Sequence, residues 1–219
     1  MLIADRNGMV VRKALPYDAE VEYLESTGTQ WIDTGAPATN NTHVNVRFSD
    51  YSVAGAWLFG ARKAYQNSAL GVYTVSSNNT WIRAFGNFVS GTFTFSTIDL
   101  GVTTFDYDCG HFVGTREKVP VTVDFTDTAP AFDSSPYLIY MWTLNNGGGA
   151  ANIAHAKIYG FKIWESGVLV RDMIPVRVGS EGAMYDRLGA GGMNPDGSPR
   201  NDGLYRNRGT GAFVFPTAS

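Results

Sequence analysis

The chain has 219 residues, a net charge of −3 and a hydrophobic fraction of 44%. The low charge and high hydrophobic fraction exclude a disordered chain, and the hydrophobic residues suffice for the core of a β-domain. It has no long basic run, and its apolar stretches are far shorter than the roughly 20 residues of a membrane helix, so nucleic acid and membrane are excluded as predicted partners. The one cysteine, Cys109, excludes an internal disulfide and a multi-cysteine zinc site.

The first 19 residues differ in pattern from the rest of the chain. They mix charges with short apolar pieces, and they contain Asn7-Gly8, a turn or hairpin signal, before Pro16. We predict an N-terminal arm or anchor over residues 1–19 and a single β-domain over residues 20–219. The sequence does not open with a basic stretch followed by an apolar run, so a secretory signal is not expected.

From Val21 onward, short β-type runs alternate with turn residues at spacings of about ten residues, as in a sandwich or barrel. Residues 42–48 alternate cleanly, which places Val44, Val46 and Phe48 on one face of a strand. His43 then lies on the opposite, solvent-facing side. Further strands are predicted at residues 56–60, 70–75, 80–85, 92–95 and 119–125. Helical periodicity is nearly absent, so we predict an all-β fold, an antiparallel β-sandwich.

The second half of the chain continues this pattern. Residues 137–142 are apolar on both faces, which predicts a central strand covered from two sides. Residues 145–149, Asn-Asn-Gly-Gly-Gly, predict an irregular loop. Residues 189–208 are rich in Gly, Asn, Asp, Pro and Arg and predict a surface excursion, and residues 209–215 predict a last strand.

A β-hairpin is predicted from residues 157–164 and 168–173, which are joined by a short turn around a glycine. Strict alternation along its first strand places Tyr159, Phe161 and Ile163 in the core.

The five tryptophans are the candidate sugar-stacking residues, because an exposed indole beside Asn and Asp acceptors holds a pyranose face. Core packing is expected for at least three of them. The best exposed candidate is Trp81, and we predict a ligand-binding site formed by Trp81, Asn78, Asn79, Arg83 and Tyr65.

Acidic residues form two further candidate groups, for which calcium is the metal that their oxygens would suit. A solvated acidic loop is the favoured interpretation of both groups, so no cofactor is expected. The groups are Asp106 and Asp108 with His111, and Asp124, Asp127 and Asp133.

No catalytic residues are predicted. Glu20, Glu22 and Glu25 lack the central Asp of the paired-carboxylate spacing that jelly-roll glycosidases use. No Gly-x-Ser-x-Gly elbow is present, and none of the three histidines stands in a triad context. Cys109 beside His111 is interpreted as a semi-buried thiol.

Several segments together resemble the LamG-like, concanavalin A-like jelly-roll family of phage and gut-bacterial proteins. They follow one another in the order that the family shows and span residues 21–215. The chain departs from the family pattern at residues 191–202, where a shorter connection is expected. The matching segments are residues 22–35 (Glu-Tyr-Leu-Glu-Ser-Thr-Gly-Thr-Gln-Trp-Ile-Asp-Thr-Gly), the hairpin of residues 157–177, Gly182-Ala183-Met184-Tyr185-Asp186, and residues 209–213.

The resemblance implies a non-enzymatic phage virion protein, a head or tail fibre, decoration or receptor-binding component that is assembled in the host cytoplasm and released by lysis. Its expected partners are other virion proteins, contacted through the arm, and host surface glycans. A homo-oligomer, such as a trimer, is expected. The alternatives are a secreted or surface carbohydrate-binding adhesion module of a bacterium and, second, a glycoside hydrolase.

Overall fold

The computed structural model describes the backbone of residues 2–4, 10–12, 14–51, 55–63, 69–76, 79–84, 87–94, 101–108, 111–117, 123–126, 133–189 and 191–216. Within these ranges, it describes the side chains of residues 14–51, 55–63, 69–73, 101–108, 111–117, 134–189 and 191–216. No helix occurs in the described ranges, and hence none that is long and apolar enough to cross a membrane.

The described strands form a short N-terminal hairpin and two large sheets. The hairpin consists of β1 (Leu2–Ala4) and β2 (Val10–Arg12). The larger sheet contains β3 (Ala19–Glu20), β4 (Leu24–Thr27), β6 (Thr42–Ser49), β11 (Thr103–Asp108), β12 (His111–Arg116), β13 (Val123–Thr126), β17 (His155–Glu165), β18 (Val168–Val178), β19 (Glu181–Asp186) and β20 (Leu204–Tyr205). The smaller sheet contains β5 (Ile32–Thr39), β7 (Trp57–Arg62), β8 (Ala69–Ser76), β9 (Asn79–Ala84), β10 (Asn87–Thr94), β14 (Asp133–Met141), β15 (Leu144–Asn146) and β16 (Gly149–Ala151).

Antiparallel pairing dominates both sheets. The larger sheet runs β13-β12-β11-β6-β17-β18-β19-β20, with β3 on β18 and β4 on β17. The smaller sheet runs β10-β9-β8-β7-β14-β5, and β15 pairs with β7 in parallel. The two sheets pack face to face, so the predicted all-β sandwich is confirmed.

The core between the sheets is built by the residues that alternation assigns to it. In β6, Val44, Val46 and Phe48 are buried, as predicted, because every second side chain of a strand points to the same face. Phe59 of the smaller sheet meets Phe161 of the larger sheet edge-to-face, with ring centroids 5.3 Å apart. Such contacts join the two layers into one hydrophobic cluster.

The hairpin of β17 and β18 is confirmed, but one of its three predicted core residues is wrong. Phe161 and Ile163 are fully buried, whereas Tyr159 is half-buried and lies edge-on to Tyr23. The register of β17 against β6 shifts between Ile158 and residue 160, and this irregularity reverses the alternation. Ile158 therefore occupies the core in place of Tyr159.

The predicted loop at residues 145–149 is also wrong, because it folds as the tight hairpin of β15 and β16. Gly147 and Gly148 both have positive φ, of 64° and 99°, which two-residue hairpin turns require and glycine adopts without steric cost. The hairpin follows Trp142, a buried residue with φ of 62°. The chain turns at this residue, so that β14 pairs antiparallel to β7 and β15 pairs parallel to it.

The C-terminal segment departs from its prediction at two places. Residues 189–208 include β20, whose Leu204 and Tyr205 are both 1% exposed, so this part of the excursion belongs to the core. Residues 209–215 form no continuous strand, and Val214 makes a single bridge to Glu25. The reason is local, since Gly211 has a φ of 71°, which lies outside the β region and interrupts a strand.

The residues that follow the N-terminal hairpin dock on the larger sheet. The Tyr17 ring lies 4.9 Å from that of Tyr185, and the Asp18 N–H donates to the carbonyl of Arg177 over 2.9 Å. Asn7 and Gly8 lie outside the described residues, between the paired strands β1 and β2.

Candidate functional site

The sequence-predicted ligand site falls on β9 and the loops near it. Asn79, Trp81 and Arg83 are residues of β9, for which the backbone alone is described. Asn78 and Tyr65 lie outside the described residues. The neighbours of this site are therefore identified from the register of β9.

Three aromatic residues lie side by side across adjacent strands of the smaller sheet. Trp57 of β7 is directly opposite Tyr73 of β8, and Tyr73 is directly opposite Trp81 of β9. We call these three residues the aromatic row. The rings of Trp57 and Tyr73 are 5.1 Å apart and tilted by 43°. Trp57 is 3% exposed, whereas Tyr73 is only partly buried, so exposure increases from β7 to β8.

The aromatic row lies on the face of the smaller sheet that points away from the main core. Leu70 and Val72 of β8 belong to the main core cluster, so the alternate residues of that strand, Ala69 and Tyr73 among them, lie on the other face. There, Ala69, Tyr73 and Leu144 pack around Trp57 as a separate cluster.

A pair of glycines forms the floor beneath Trp57. Gly60 and Gly71 are opposite each other in β7 and β8, and a Cβ at either position would come within 3.0 Å of the Trp57 ring. Arg83 is directly opposite Gly71 on the next strand. The absence of side chains at both glycines lets the indole lie flat on the backbone of the sheet.

A second feature is a cleft of about 210 Å³ at the opposite edge of the sandwich, which we call the C-terminal cleft. Its charged groups are Arg206 and Glu181, which form an ion pair of 3.0 Å, and Phe213 contributes a 4% exposed apolar surface. The cleft is lined by Glu181, Gly182, Pro195, Arg206, Asn207, Gly209, Gly211, Ala212 and Phe213.

A buried ion pair lies close to this cleft. Arg208 Nη1 is 3.0 Å from Asp33 Oδ2, and its guanidinium carbon lies 5.0 Å over the ring of Trp31. Trp31 also stacks on Tyr140, with centroids 4.4 Å apart. Burial raises the pKa of Asp33 above its ordinary value, against the lowering effects of the Gly35 N–H and of Arg208. The charged groups and rings of this cluster therefore contact one another.

The solvent-facing side of the larger sheet carries many charges, but they neutralise one another. His43 is half-buried there and stacks on Trp164, with centroids 4.2 Å apart, and its Nε2 contacts Asp106. This contact engages one acid of the first candidate calcium group. The further pairs are Arg47 with Glu117, Lys157 with Asp50, Lys162 with Asp172, and His155 with Glu25.

The remaining sequence candidates divide between described and undescribed residues. Among the described residues, no group of three or more His, Cys, Asp or Glu side chains is placed to hold a metal. Asp127 and Cys109 lie outside the described residues, as do the side chains of Asp124 and Asp133. Of the tryptophans, Trp57 and Trp142 are buried, and Trp31 and Trp164 are half-buried.

Sequence reasoning missed Tyr73 and the C-terminal cleft. Tyr73 could have been found from the strand pattern, since residues 70–75 and 80–85 were both predicted strands that a short turn joins. The cleft could not, because Gly182, Pro195 and Phe213 are far apart in sequence and meet only through the fold.

Two packed antiparallel sheets define the class of protein, an all-β sandwich. No protein-family model matches the chain, and no curated protein sequence is significantly similar to it. Among solved structures, eight chains match, one of which is described as "Ruminococcus gnavus IT-sialidase CBM40 bound to alpha2,3 sialyllactose". That match has a TM-score of 0.46 and 8% identity, and it covers 67% of this chain and 91% of that chain. The fold class therefore rests on the sheets described above.

Proposed function

We propose that the chain is a non-enzymatic carbohydrate-binding β-sandwich module that uses the aromatic row as its sugar-binding platform. The observation that carries the proposal is the register of β7, β8 and β9, which aligns Trp57, Tyr73 and Trp81 across three neighbouring strands. Directly opposite residues of an antiparallel pair share one face of a sheet, about 4.5–5.5 Å apart. Trp57 is buried and supports the half-buried Tyr73, so Tyr73 and the neighbouring position of Trp81 are the part of the row that we assign to stacking on the faces of sugar rings.

The polar positions around the row suit a sugar ligand. Asn79 and Arg83 lie two positions before and two positions after Trp81 along β9. All three positions therefore belong to the same face of the sheet. An amide and a guanidinium supply both acceptors and donors, which the hydroxyl groups of a sugar need. The predicted residues Asn78 and Tyr65 lie outside the described residues, and Asn78 directly precedes β9 in the sequence.

The carboxylates support a binding role without hydrolysis. Glycoside hydrolysis needs two carboxyl groups about 5–9.5 Å apart that flank one bond of the sugar chain. The aromatic row contains no acid, and Glu181 is the one carboxylate among the residues that line the C-terminal cleft. Asp33, the buried acid nearby, is 3% exposed and paired with Arg208.

The resemblance to the LamG-like, concanavalin A-like family remains part of the proposal, and it is supported by the sandwich of two antiparallel sheets that it implies. The virion location, the partner proteins contacted through residues 1–19 and the homo-oligomer stay predictions. Carbohydrate binding fits both a phage appendage and a bacterial adhesion module.

The proposal is tested by binding to an array of immobilised glycans, followed by calorimetry with a glycan that binds. We expect saturable binding by the full chain and about a tenfold loss on Trp81→Ala, because one aromatic stacking contact contributes about 0.5–1.5 kcal/mol. Tyr73→Ala should weaken binding similarly. The matched control is Trp164→Ala, which removes a half-buried tryptophan from the other sheet.

Two outcomes count against the proposal. One is a complete absence of glycan binding by the folded full chain. The other is binding that both Trp81→Ala and Tyr73→Ala leave unchanged while circular dichroism shows them folded. Cleavage of a bound polysaccharide would instead favour the glycoside hydrolase alternative.

A further inference from the structure

We infer that the C-terminal cleft is a second sugar subsite, which takes a single neutral sugar ring. The inference rests on the proposed carbohydrate-binding function, but it concerns other residues, at the other edge of the sandwich. Its volume of about 210 Å³ is below the roughly 300 Å³ at which pockets for larger ligands begin, so it suits one ring rather than an extended chain.

The wall of the cleft formed by residues 206–213 is fixed before any ligand binds. The Asn207 side chain accepts hydrogen bonds from the Trp31 and Gly209 backbone N–H groups, over 3.1 and 2.8 Å, and donates to the Gly211 carbonyl over 2.8 Å. A Cβ at Gly209 would stand 1.8 Å from the Thr29 carbonyl oxygen, so this position requires glycine. A wall held in this way costs little ordering entropy on binding.

The opposing wall comes from the segment that departs from the family pattern. Pro195 lies in a turn that the Asn194 N–H closes by donating to the Ser198 carbonyl over 3.0 Å. The turn packs on the body of the protein at Gly197, where a Cβ would stand 2.5 Å from a nitrogen of Arg208. The segment therefore builds a surface that a shorter connection could not provide.

The chemistry of the lining selects a neutral, polyhydroxylated ligand. Arg206 donates to Glu181 over 3.0 Å, so the two formal charges cancel, and a charged ligand would meet one repulsive group. The same pair offers donors beside acceptors, which matches two neighbouring hydroxyl groups of a sugar. Ala212, which is exposed, adds an apolar contact for the carbon face of the ring, and Phe213, which belongs to the core, lines the cleft with its small exposed part.

The test is a nuclear magnetic resonance titration of the full chain with four free monosaccharides: glucose, galactose, N-acetylglucosamine and N-acetylgalactosamine. We expect saturable shifts of the amide signals of Gly182, Arg206, Gly209 and Gly211 with at least one of them. Arg206→Ala and, separately, Glu181→Gln should weaken that binding about tenfold. The matched control, Arg47→Ala, removes an arginine whose ion pair with Glu117 lies outside the cleft lining, and it should leave the binding unchanged.

The titration of Trp81→Ala separates this inference from the proposed function. Shifts in the cleft should persist in that variant, since the aromatic row and the cleft share no residue. The inference is overturned if none of the four sugars shifts the cleft amides of the full chain. It is also overturned if the shifts survive unchanged in both Arg206→Ala and Glu181→Gln, even where the aromatic row binds glycans.

Discussion

Asp33 and Arg208, which are 175 residues apart in the sequence, form a buried ion pair that joins β5 to the C-terminal segment. The backbone N–H of Arg208 also donates to the carbonyl of Trp31 over 2.9 Å, so the same residue is held twice. Since Asn207 and Gly209 adjoin Arg208, the ion pair positions the wall of the C-terminal cleft.

Removal of the arginine should destabilise the protein strongly. Arg208→Ala leaves the carboxylate of Asp33 buried without its partner, and breaking a buried pair in this way costs about 3–5 kcal/mol. Urea unfolding followed by tryptophan fluorescence measures the free energy of unfolding. Arg47→Ala is the control, because its pair with Glu117 is exposed and should contribute less than about 1 kcal/mol. Equal losses in the two variants would contradict the structural role of Asp33 and Arg208.

The raised pKa of Asp33 predicts the direction in which its contribution to stability changes with pH. Burial raises its folded pKa above the ordinary value of 3.8, so the folded state holds this proton more tightly than the unfolded state. The contribution of Asp33 to stability is therefore fully present below pH 3.8 and is lost as the pH rises through the folded pKa. The free energy of unfolding of the wild type minus that of Asp33→Asn should fall between pH 3.8 and neutrality.

Asp202 supplies a control of opposite sign. Its hydrogen bonds from Arg200 lower its pKa below 3.8, so its contribution is present above that pH and is lost as the pH falls through the lowered value. The wild type minus Asp202→Asn difference should therefore rise as the pH increases from the lowered pKa to 3.8, whereas the wild type minus Asp33→Asn difference should fall as the pH increases above 3.8. Parallel slopes for the two variants in urea unfolding at a series of pH values would show that the Asp33 assignment is wrong.

The sequence predicts the strands better than it predicts their irregularities. Alternation alone places Val44, Val46 and Phe48 correctly, because β6 itself runs without a bulge and pairs with β11 in an uninterrupted register. It misplaces Tyr159, because the register shift in β17 is set by the pairing with β6 and leaves no trace in the pattern of apolar residues. A one-residue shift exchanges the two faces of a strand.

For the candidate sites too, the sequence predicts residues along one strand but not the register between strands. Trp81 and its polar neighbours could be selected from composition along one strand. Their alignment with Tyr73 and Trp57 depends on the register of two further strand pairs, which the sequence does not specify. The cleft depends on contacts such as that of Gly197 with Arg208, between loops whose geometry no periodicity describes.

The glycine floor beneath the aromatic row can be tested by adding one carbon atom. A Cβ at Gly71 would stand 2.3 Å from the Phe59 carbonyl oxygen and 3.0 Å from the Trp57 ring, so Gly71→Ala must move the backbone or the indole. We expect a loss of about 3 kcal/mol in the free energy of unfolding, the upper range for overpacking, and an altered near-ultraviolet circular dichroism signal.

Gly149→Ala is the matched control for this change. Nothing lies within 4 Å of a Cβ at Gly149, so its effect should stay within about 0.5 kcal/mol. If Gly71→Ala and Gly149→Ala have the same free energy of unfolding, β7 and β8 do not approach each other closely under Trp57.

The Tyr-Asp signature of the family resemblance has a structural role that Asp186 allows us to test. Asp186 is fully buried, and its Oδ1 accepts hydrogen bonds from the backbone N–H groups of Asp172 and Leu188, over 3.0 and 3.1 Å. Its Oδ2 lies 3.9 Å from Nη1 of Arg171. Asp186→Ala removes the oxygen that accepts both hydrogen bonds and leaves the arginine beside an uncharged site, so a loss of about 3–5 kcal/mol is expected.

Asp186→Asn separates the two contributions. The amide oxygen can still accept from both backbone groups, but the side chain no longer compensates Arg171, so the loss should lie between those of Asp186→Ala and the wild type. Urea unfolding compares these variants with Glu117→Ala, which removes an exposed acid and should cost less than about 1 kcal/mol. If Asp186→Ala unfolds at the same urea concentration as Glu117→Ala, the geometry at this end of the β18 and β19 pair does not depend on the aspartate. A large loss would mean that Asp186 fixes this end of the pair, and with it the start of the segment that forms the cleft wall.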